Sequence, residues 1–548
     1  MSKNRFALMA VVVAICLSIF ASSVLACTTI MVTPGASVDG SASVTQTCDA
    51  GGASYDIYKF PAQTYEAGSM VEVFAGPQTL AGMRLFEMDM LPTGNYIPQV
   101  SQTIGYIGGL FGMMNEYQVA AGETSLSGRR ESRNTLGWFD ISGLSHFGLQ
   151  RAKTVREFIQ VMGDLAVKYG FNEGVEGLVV ADANEVWMFE VAGPGALWAP
   201  GDSEPGAYWV ARRVPDGHVS ANANNSVIGV IDFNDHDNFM YSSGILEFAQ
   251  SMGWYNPASG KAFNWSMDFC NATSYATCAR RVWRVMCLAA PSLTSSLVET
   301  SLPFSVPVDK KLSIDDINKI QGDHYEGTIY DTTQGITAGP WNNPRRYRGT
   351  FRADGVTYAW QRSISQTQTE YSITTQSRAW LPNEVGGVVW FGATNPDATC
   401  YVPLYASVTE LSAALGKDAG SHLEFSKKSY WWAVSMVSTY IDLKYAPMVA
   451  EVNIWKAKYE APLLNNQSAI DNAALYLLAR DRDAAINYLT EFCRNNVETV
   501  RDAWWELRDY LIFKYNIGFV TENGRVNTVS YPESWLRQVI ALNEPDHY

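Results

Sequence analysis

Apolar and β-branched residues gather at positions 28–33 and again at 41–47, on either side of a turn that contains Pro34, Gly35 and Gly40. The run CTTIMVTPGASVDGSASVTQTCD therefore predicts an antiparallel hairpin with Cys27 at the head of its first strand. A second pairing is expected in TIGYIGGLFGMMNEYQVAAGET, with Asn115 and Glu116 turning the chain between 104–114 and 117–124. From 142 to 169 the period becomes helical. Leu149, Val155, Phe158, Ile159, Met162, Leu165 and Ala166 recur at helix spacing, and Gly170 is the expected stop. Two strands are expected around the 182–185 turn in VEGLVVADANEVWMFEVAG, and a third in YWVARRV. Helical spacing returns near 276–289 and 313–321, whereas 356–376, 386–392 and 399–405 read as sheet. From about Tyr430 onward, Trp, Leu, Ala and charged residues recur at helical intervals, which predicts several packed helices to the end of the chain. No 20- to 50-residue repeat and no low-complexity linker divides the chain.

Residues 1–26 have a pattern of their own. Lys3 and Arg5 precede an apolar stretch from Phe6 to Phe20, and small residues lead to Val24, Leu25 and Ala26. This is the layout of a secretory signal peptide, and the apolar stretch is short for a span of roughly 20 residues. No later stretch is long and uncharged enough to cross a bilayer. The expectation is an exported protein, periplasmic, cell-surface or secreted, cut between Ala26 and Cys27. Cleavage makes Cys27 the first residue.

A cysteine at that place has two chemical uses that exclude each other. Its free α-amine, with an ordinary pKa of about 7.7 to 8.0, can act as the base that turns the neighbouring thiol into a thiolate. Alternatively the cysteine is lipidated and its amine acylated, which tethers the protein and removes the base. Leu25, bulky and two residues before Cys27, fits a lipoprotein cleavage site imperfectly. A plain structural cysteine is the third reading.

Composition narrows the classes. The chain has 548 residues, 47% hydrophobic and 12% aromatic, and only 17% are charged, against roughly 25% in average usage. Disorder is excluded as the general state. Lys and Arg number 40 against 55 Asp and Glu, a net charge of −15, which becomes −17 once Lys3 and Arg5 are removed. That balance argues against sequence-independent binding of nucleic acid. Length alone suggests three to four domains at roughly 150 residues each. There are six His, and the eight Cys become seven when Cys16 leaves with the signal. Setting Cys27 aside, the other six allow up to three disulfides in an oxidising compartment, and spacing does not choose among pairings. Cys278 and Cys287, nine apart in a helix, are not expected to bridge each other. No metal site has the short Cys spacing of zinc, and no cofactor is expected. Asp232, Asn234, Asp235, His236 and Asp237 read as a polar turn, and His324 beside Asp323 as a helix-end histidine.

Several fragments together resemble a known family. They are CTTIMVTPGASVDGS at 27–41, MNEYQVAAGET at 114–124, RRVPDGHVSANANNSVI at 212–228, GDHYEGT at 322–328, TQSRAWLP at 375–382 and GGVVWFGATNPDATCYVPLY at 386–405. Spread over roughly 27–450, they are similar to the dipeptidase family of N-terminal-nucleophile cysteine hydrolases, relatives of penicillin V acylase and bile salt hydrolase. The resemblance implies an α/β (α+β) fold, a four-layer αββα sandwich over 27–429, with a helical extension at 430–548 packed on it. It also implies a cysteine-type dipeptidase that cleaves short peptides through a thioester on Cys27. The alternatives are an amidase or acylase on N-acyl amino acids or penicillin-like amides, and a lipid-anchored surface binding protein acylated at Cys27.

The same resemblance assigns the site. Cys27 matches the nucleophile with its α-amine as base, Asp49 the aspartate that orients it, and Asn224 the amide donor to the oxyanion, with Asn222 and Asn225 as adjacent alternatives. Arg378 matches a region where relatives place a substrate- or site-facing arginine. Thr124 matches a second oxyanion-region position where an Asn is common. Many relatives carry an Arg two residues before the aspartate, but this chain has Thr47 there, so another cation must replace it or its effect is absent.

Overall fold

The computed structural model describes residues 27–76, 90–272, 276–346, 350–516, 519–528 and 530–542. The expected export segment 1–26 lies outside the described residues.

Two large antiparallel sheets dominate. The first runs Val306–Pro307 (β12), His218–Asn222 (β10), Thr29–Val32 (β1), Ser43–Cys48 (β2), Tyr371–Ser377 (β13), Gly387–Ala393 (β14) and Val402–Tyr405 (β15). The second runs Phe239–Tyr241 (β11), Tyr208–Arg213 (β9), Val186–Ala192 (β8), Val175–Ala181 (β7), Ala120–Leu126 (β6), Gly112–Asn115 (β5), Tyr106–Gly108 (β4) and Tyr58–Phe60 (β3). The sheets face each other through β1, β2 and β13 on one side and β6, β7 and β8 on the other. The approach is close at Gly122, where an added Cβ would lie 2.5 Å from the carbonyl oxygen of Thr45. Glycine there is a packing requirement, and it sets the next residue, Glu123, against the head of β1.

Helices cover the outer faces. Ile141–Leu149 (α1) and Val155–Tyr169 (α2) lie on the second sheet. Ala276–Ala289 (α3) and Ile314–Gln321 (α4) lie on the first, as do Tyr430–Ile441 (α5), Tyr445–Asn465 (α6) and Arg482–Lys514 (α8), with Gln467–Leu478 (α7) packed between α6 and α8. Because both faces of β2 are covered, all six of its residues are buried although four are polar. Its threonines are satisfied locally: Thr45 and Thr47 hydroxyls accept from the Ile30 and Thr28 amides at 3.0 and 3.1 Å.

The expected first hairpin is present, in the register Met31↔Val44 and Val32↔Ser43. Three expectations need correction. The helix expected over 142–169 is two helices, because Thr154 caps a new one, accepting from the Glu157 amide; Gly170 does end it, at φ +87°. The 104–114 stretch is itself a hairpin, β4–β5, before β6 pairs on. The chain after Tyr430 is not helical to its end: Phe519–Glu522 pairs with Arg525–Thr528 ahead of the helix Glu533–Ala541. The seven described cysteines are all free and buried, so none of the three disulfides the count allowed is formed.

Glu190 on β8 shows how the fold fixes a loop near the site. Fully buried, its carboxylate accepts from the amides of Val227 (2.9 Å) and Ile228 (3.2 Å), from Trp265 Nε1 (2.8 Å) and from the Ser226 hydroxyl. Burial pushes this carboxyl up to about 7, against those four bonds. Glu190→Ala leaves the donors unpaired at roughly 1 to 3 kcal/mol each when nothing replaces the acceptor. Chemical denaturation should therefore show a loss of about 3 kcal/mol or more; a loss within about 0.5 kcal/mol, as at an ordinary surface position, would contradict this.

Candidate active site

Cys27 sits two residues before β1, fully buried, and its thiol reaches Glu123 Oε2 on the opposite sheet at 3.2 Å. The same oxygen accepts from Gln46 Nε2 (3.2 Å), and Oε1 accepts from the Ser125 hydroxyl (2.9 Å). Burial pushes the Glu123 carboxyl up from its ordinary range. The Cys27 thiol is raised well above its usual value by its hydrogen bond with Cys48, by burial and by the charge of Glu123. A thiol held this way stays protonated until a base is placed beside it. In the full chain the Cys27 nitrogen is tied up in the peptide bond to Ala26. Glu123→Gln removes one of these causes, so the Cys27 titration, followed by thiolate absorbance or alkylation rate against pH, should move to lower pH. A move upward would contradict the arrangement.

Asp49 follows β2 directly. Its Oδ1 accepts from the Thr369 hydroxyl at 2.6 Å, and its Oδ2 from Gln366 Nε2 at 2.7 Å and from Thr47 Oγ1 at 3.2 Å. Since Thr47 Oγ1 also accepts from the Thr28 amide, this residue links Asp49 to the head of β1. Burial pushes Asp49 up to about 7, opposed by the Thr369 hydrogen bond and the positive charges of Arg281 and Arg362.

Arg281 on α3 brings a cation to the head of β1. It is fully buried. Nη1 donates to the Cys27 carbonyl and to Thr28 Oγ1, both at 2.8 Å, and Nη2 to Asn224 Oδ1 at 2.7 Å and the Ala223 carbonyl at 3.3 Å. One planar guanidinium thus clamps the backbone of Cys27 and the side chain of Asn224 together. The sequence reading missed Arg281, although a signal existed: Cys278, Arg281, Val282, Val285 and Ala289 share one face of the helix. Glu123 was missed as well; its signal was a carboxylate inside an otherwise uncharged strand, AAGETSL.

Asn224 adopts φ +65°, a left-handed conformation that Asn accepts more readily than most residues. Its Nδ2 donates to the Ser125 carbonyl at 2.9 Å, and its amide to Thr124 Oγ1 at 3.3 Å. Thr124 therefore supports Asn224 from behind. Asn222 is paired with Thr29 in the β1–β10 ladder, and Asn225 bridges Ser127, so Asn224 is the one of the three bound to Arg281.

Arg378 is placed elsewhere. Asp49 adjoins the Tyr371 end of β13, whereas Arg378 follows its other end, beyond Ser377. It is buried, paired with Asp471 of α7 at 2.5 Å, and donates to the carbonyls of Gly386 (3.0 Å) and Val385 (2.6 Å). The expectation of a site-facing arginine is corrected: the side chain fastens α7 to the first sheet. Arg378→Ala strands a buried carboxylate and should cost about 3 to 5 kcal/mol, with the turnover number of the folded fraction kept. A stable variant with lost turnover would restore a role at the site. His324 is likewise engaged structurally, with Glu326 at 3.2 Å, while Asp323 pairs with Arg284 at 2.6 Å.

A cavity of about 260 Å³ begins at Gly51, Thr369 and Glu370, next to Asp49, and extends to His422, Trp431 and Asp442. It is polar, with Glu370 and His422 paired at 3.1 Å on its wall.

With this geometry in hand, comparison with known proteins places the chain. The model of peptidase family C69 matches residues 26–458. The chain belongs to peptidase family C69. It is similar to a probable dipeptidase of Latilactobacillus sakei, 26% identical over 476 residues, which are 84% of this chain and 92% of that protein. Dipeptidase A of Lactobacillus helveticus is 24% identical over 253 residues, 46% of this chain and 47% of that one. A dipeptidase of Bifidobacterium longum is 22% identical over 372 residues, 64% and 63% of the two chains. This family member is a hydrolase of the peptidase class. Among its described residues no helix is long and apolar enough to cross a membrane.

Proposed function

We propose that this family member is an exported dipeptidase whose residues 1–26 are removed, leaving Cys27 as an N-terminal nucleophile. The observation that carries the reading is the Arg281 clamp, which ties the Cys27 carbonyl to Asn224 while the Cys27 thiol faces Glu123. We read the two facing sheets with helices outside as the αββα sandwich of N-terminal-nucleophile hydrolases over 27–429, with 430–548 as a helical extension.

Cleavage before Cys27 frees an amine with an ordinary pKa of about 7.7 to 8.0, a few bonds from the sulfur. This amine takes the thiol proton, and the thiolate attacks the substrate amide carbonyl. The oxyanion of the tetrahedral intermediate forms at Asn224, whose side chain Arg281 and the Ser125 carbonyl already hold in place, so little reorganisation is needed in the reaction. The protonated amine then donates to the leaving amine, giving a thioester. Water, deprotonated by the same amine, hydrolyses it. Asp49 and Arg281 act as positioning residues, holding the head of β1 through Thr47 and through the Cys27 carbonyl. No histidine takes part.

The relatives named dipeptidases support a dipeptide substrate, and the cavity beside Asp49 supplies room for a small one. The test is a panel of dipeptides offered to the mature protein, with an N-acyl amino acid as the competing substrate. Preferential turnover of dipeptides is expected; preferential turnover of the acylated compound would replace the reading by that of an acylase.

A further inference from the structure

Among the described residues Cys48 is the one cysteine inside a strand of either large sheet. The register of β1 and β2 pairs Thr28 with Thr47, Met31 with Val44 and Val32 with Ser43. One step further along the same ladder sets Cys27 directly opposite Cys48. Thr47 donates its amide to the Thr28 carbonyl at 2.9 Å, which makes that pair hydrogen-bonded. The antiparallel alternation then makes Cys27 and Cys48 a non-hydrogen-bonded pair, whose Cα atoms approach to about 4.5 Å. Disulfides span about 4.4 to 6.8 Å between Cα atoms. Each thiol shifts the other's titration, both are fully buried, and both are free.

We propose that Cys27 and Cys48 are a redox modification site: a peroxide converts them to a disulfide that a thiol reductant reverses. In the first step the Cys27 thiolate sulfur attacks one peroxide oxygen, the O–O bond breaks, and Cys27 becomes a sulfenic acid with hydroxide released. In the second, the Cys48 sulfur attacks the Cys27 sulfur, an S–S bond forms, the S–O bond breaks, and hydroxide leaves with the Cys48 proton as water. The thiolate proton lost at the start neutralises the first hydroxide. Two thiols and one hydrogen peroxide thus give one disulfide and two waters. The register holds the resolving thiol opposite before the oxidant arrives. Capture at the disulfide keeps Cys27 from the irreversible sulfinic and sulfonic states.

The effect on activity rests on the proposed nucleophile, so the two are read separately. Mature protein is treated with hydrogen peroxide, then divided; one part is digested without reduction for mass analysis, and the other is assayed for dipeptide hydrolysis before and after dithiothreitol. The expected result is a Cys27–Cys48 cross-linked peptide two hydrogens lighter than the sum of its parts, loss of hydrolysis, and its return on reduction. Cys48→Ser, compared with its own untreated activity, should lose hydrolysis irreversibly and carry added oxygen on Cys27. Oxygen added to Cys27 of the unaltered protein with no cross-link overturns the disulfide and leaves the nucleophile standing. A complete cross-link with hydrolysis intact overturns the nucleophile and with it the switching role.

Discussion

Cys27→Ser, in protein processed so that residue 27 comes first, should lose dipeptide hydrolysis by roughly 10³-fold or more, as removal of a covalent nucleophile does elsewhere. The substitution exchanges a single side-chain atom, and Glu123 Oε2 accepts from a hydroxyl as from a thiol, so melting should stay close to that of the unaltered protein. The serine hydroxyl is far less acidic than a thiol, and the same amine does not ionise it effectively. Steady-state kinetics on one dipeptide, with calorimetry alongside, checks the expectation. Full activity would place the nucleophile elsewhere. Loss of activity together with loss of fold would leave Cys27 a merely structural cysteine.

Residues left ahead of Cys27 should slow turnover sharply with the site otherwise intact. An acylated nitrogen has its lone pair delocalised into the carbonyl and is not basic, and the Cys48 hydrogen bond, burial and Glu123 all hold the thiol in its protonated form. A protease-cleavable extension ending just before Cys27 makes the comparison within one sample. Before cleavage the rate should be down by about 10²- to 10⁴-fold, the worth of general-base catalysis; after cleavage it should rise to the mature value. Normal turnover by the extended form would remove the amine from the mechanism and leave Glu123 as the base.

Much of the scaffold was legible because alternation and helical spacing carry it: the β1–β2 hairpin, the pair around 182–185 and the α3 region all lie where the pattern puts them. The break before Thr154 was missed because the apolar face continues across it and only the cap marks the new start. The hairpin at 519–528 was missed because the helical rhythm on either side masks ten residues of strand and turn. At the site, Cys27, Asp49 and Asn224 could be found through motifs near the chain's own strand ends. Arg281 and Glu123 could not be assigned, since each meets Cys27 across 254 and 96 residues of sequence, and nothing local says which helix face or sheet it will meet. Arg378 illustrates the opposite error. Its motif sits in a strand of the correct sheet, but the strand's far end faces α7, where Asp471 waits for a cation. The cation at the head of β1 is likewise brought from a helix far along the chain, where no local pattern announces it.

The most direct test of the account is the mass of the enzyme caught during turnover. Mature protein mixed with excess dipeptide or a slow thioester-forming analogue, quenched in acid within a single turnover, should carry an adduct equal to the acyl half of the substrate. Digestion should place it on Cys27 and nowhere else, and it should vanish on hydroxylamine treatment, as a thioester does. An adduct on another residue, or turnover with a Cys27 that stays unmodified and alkylatable throughout, would contradict the account.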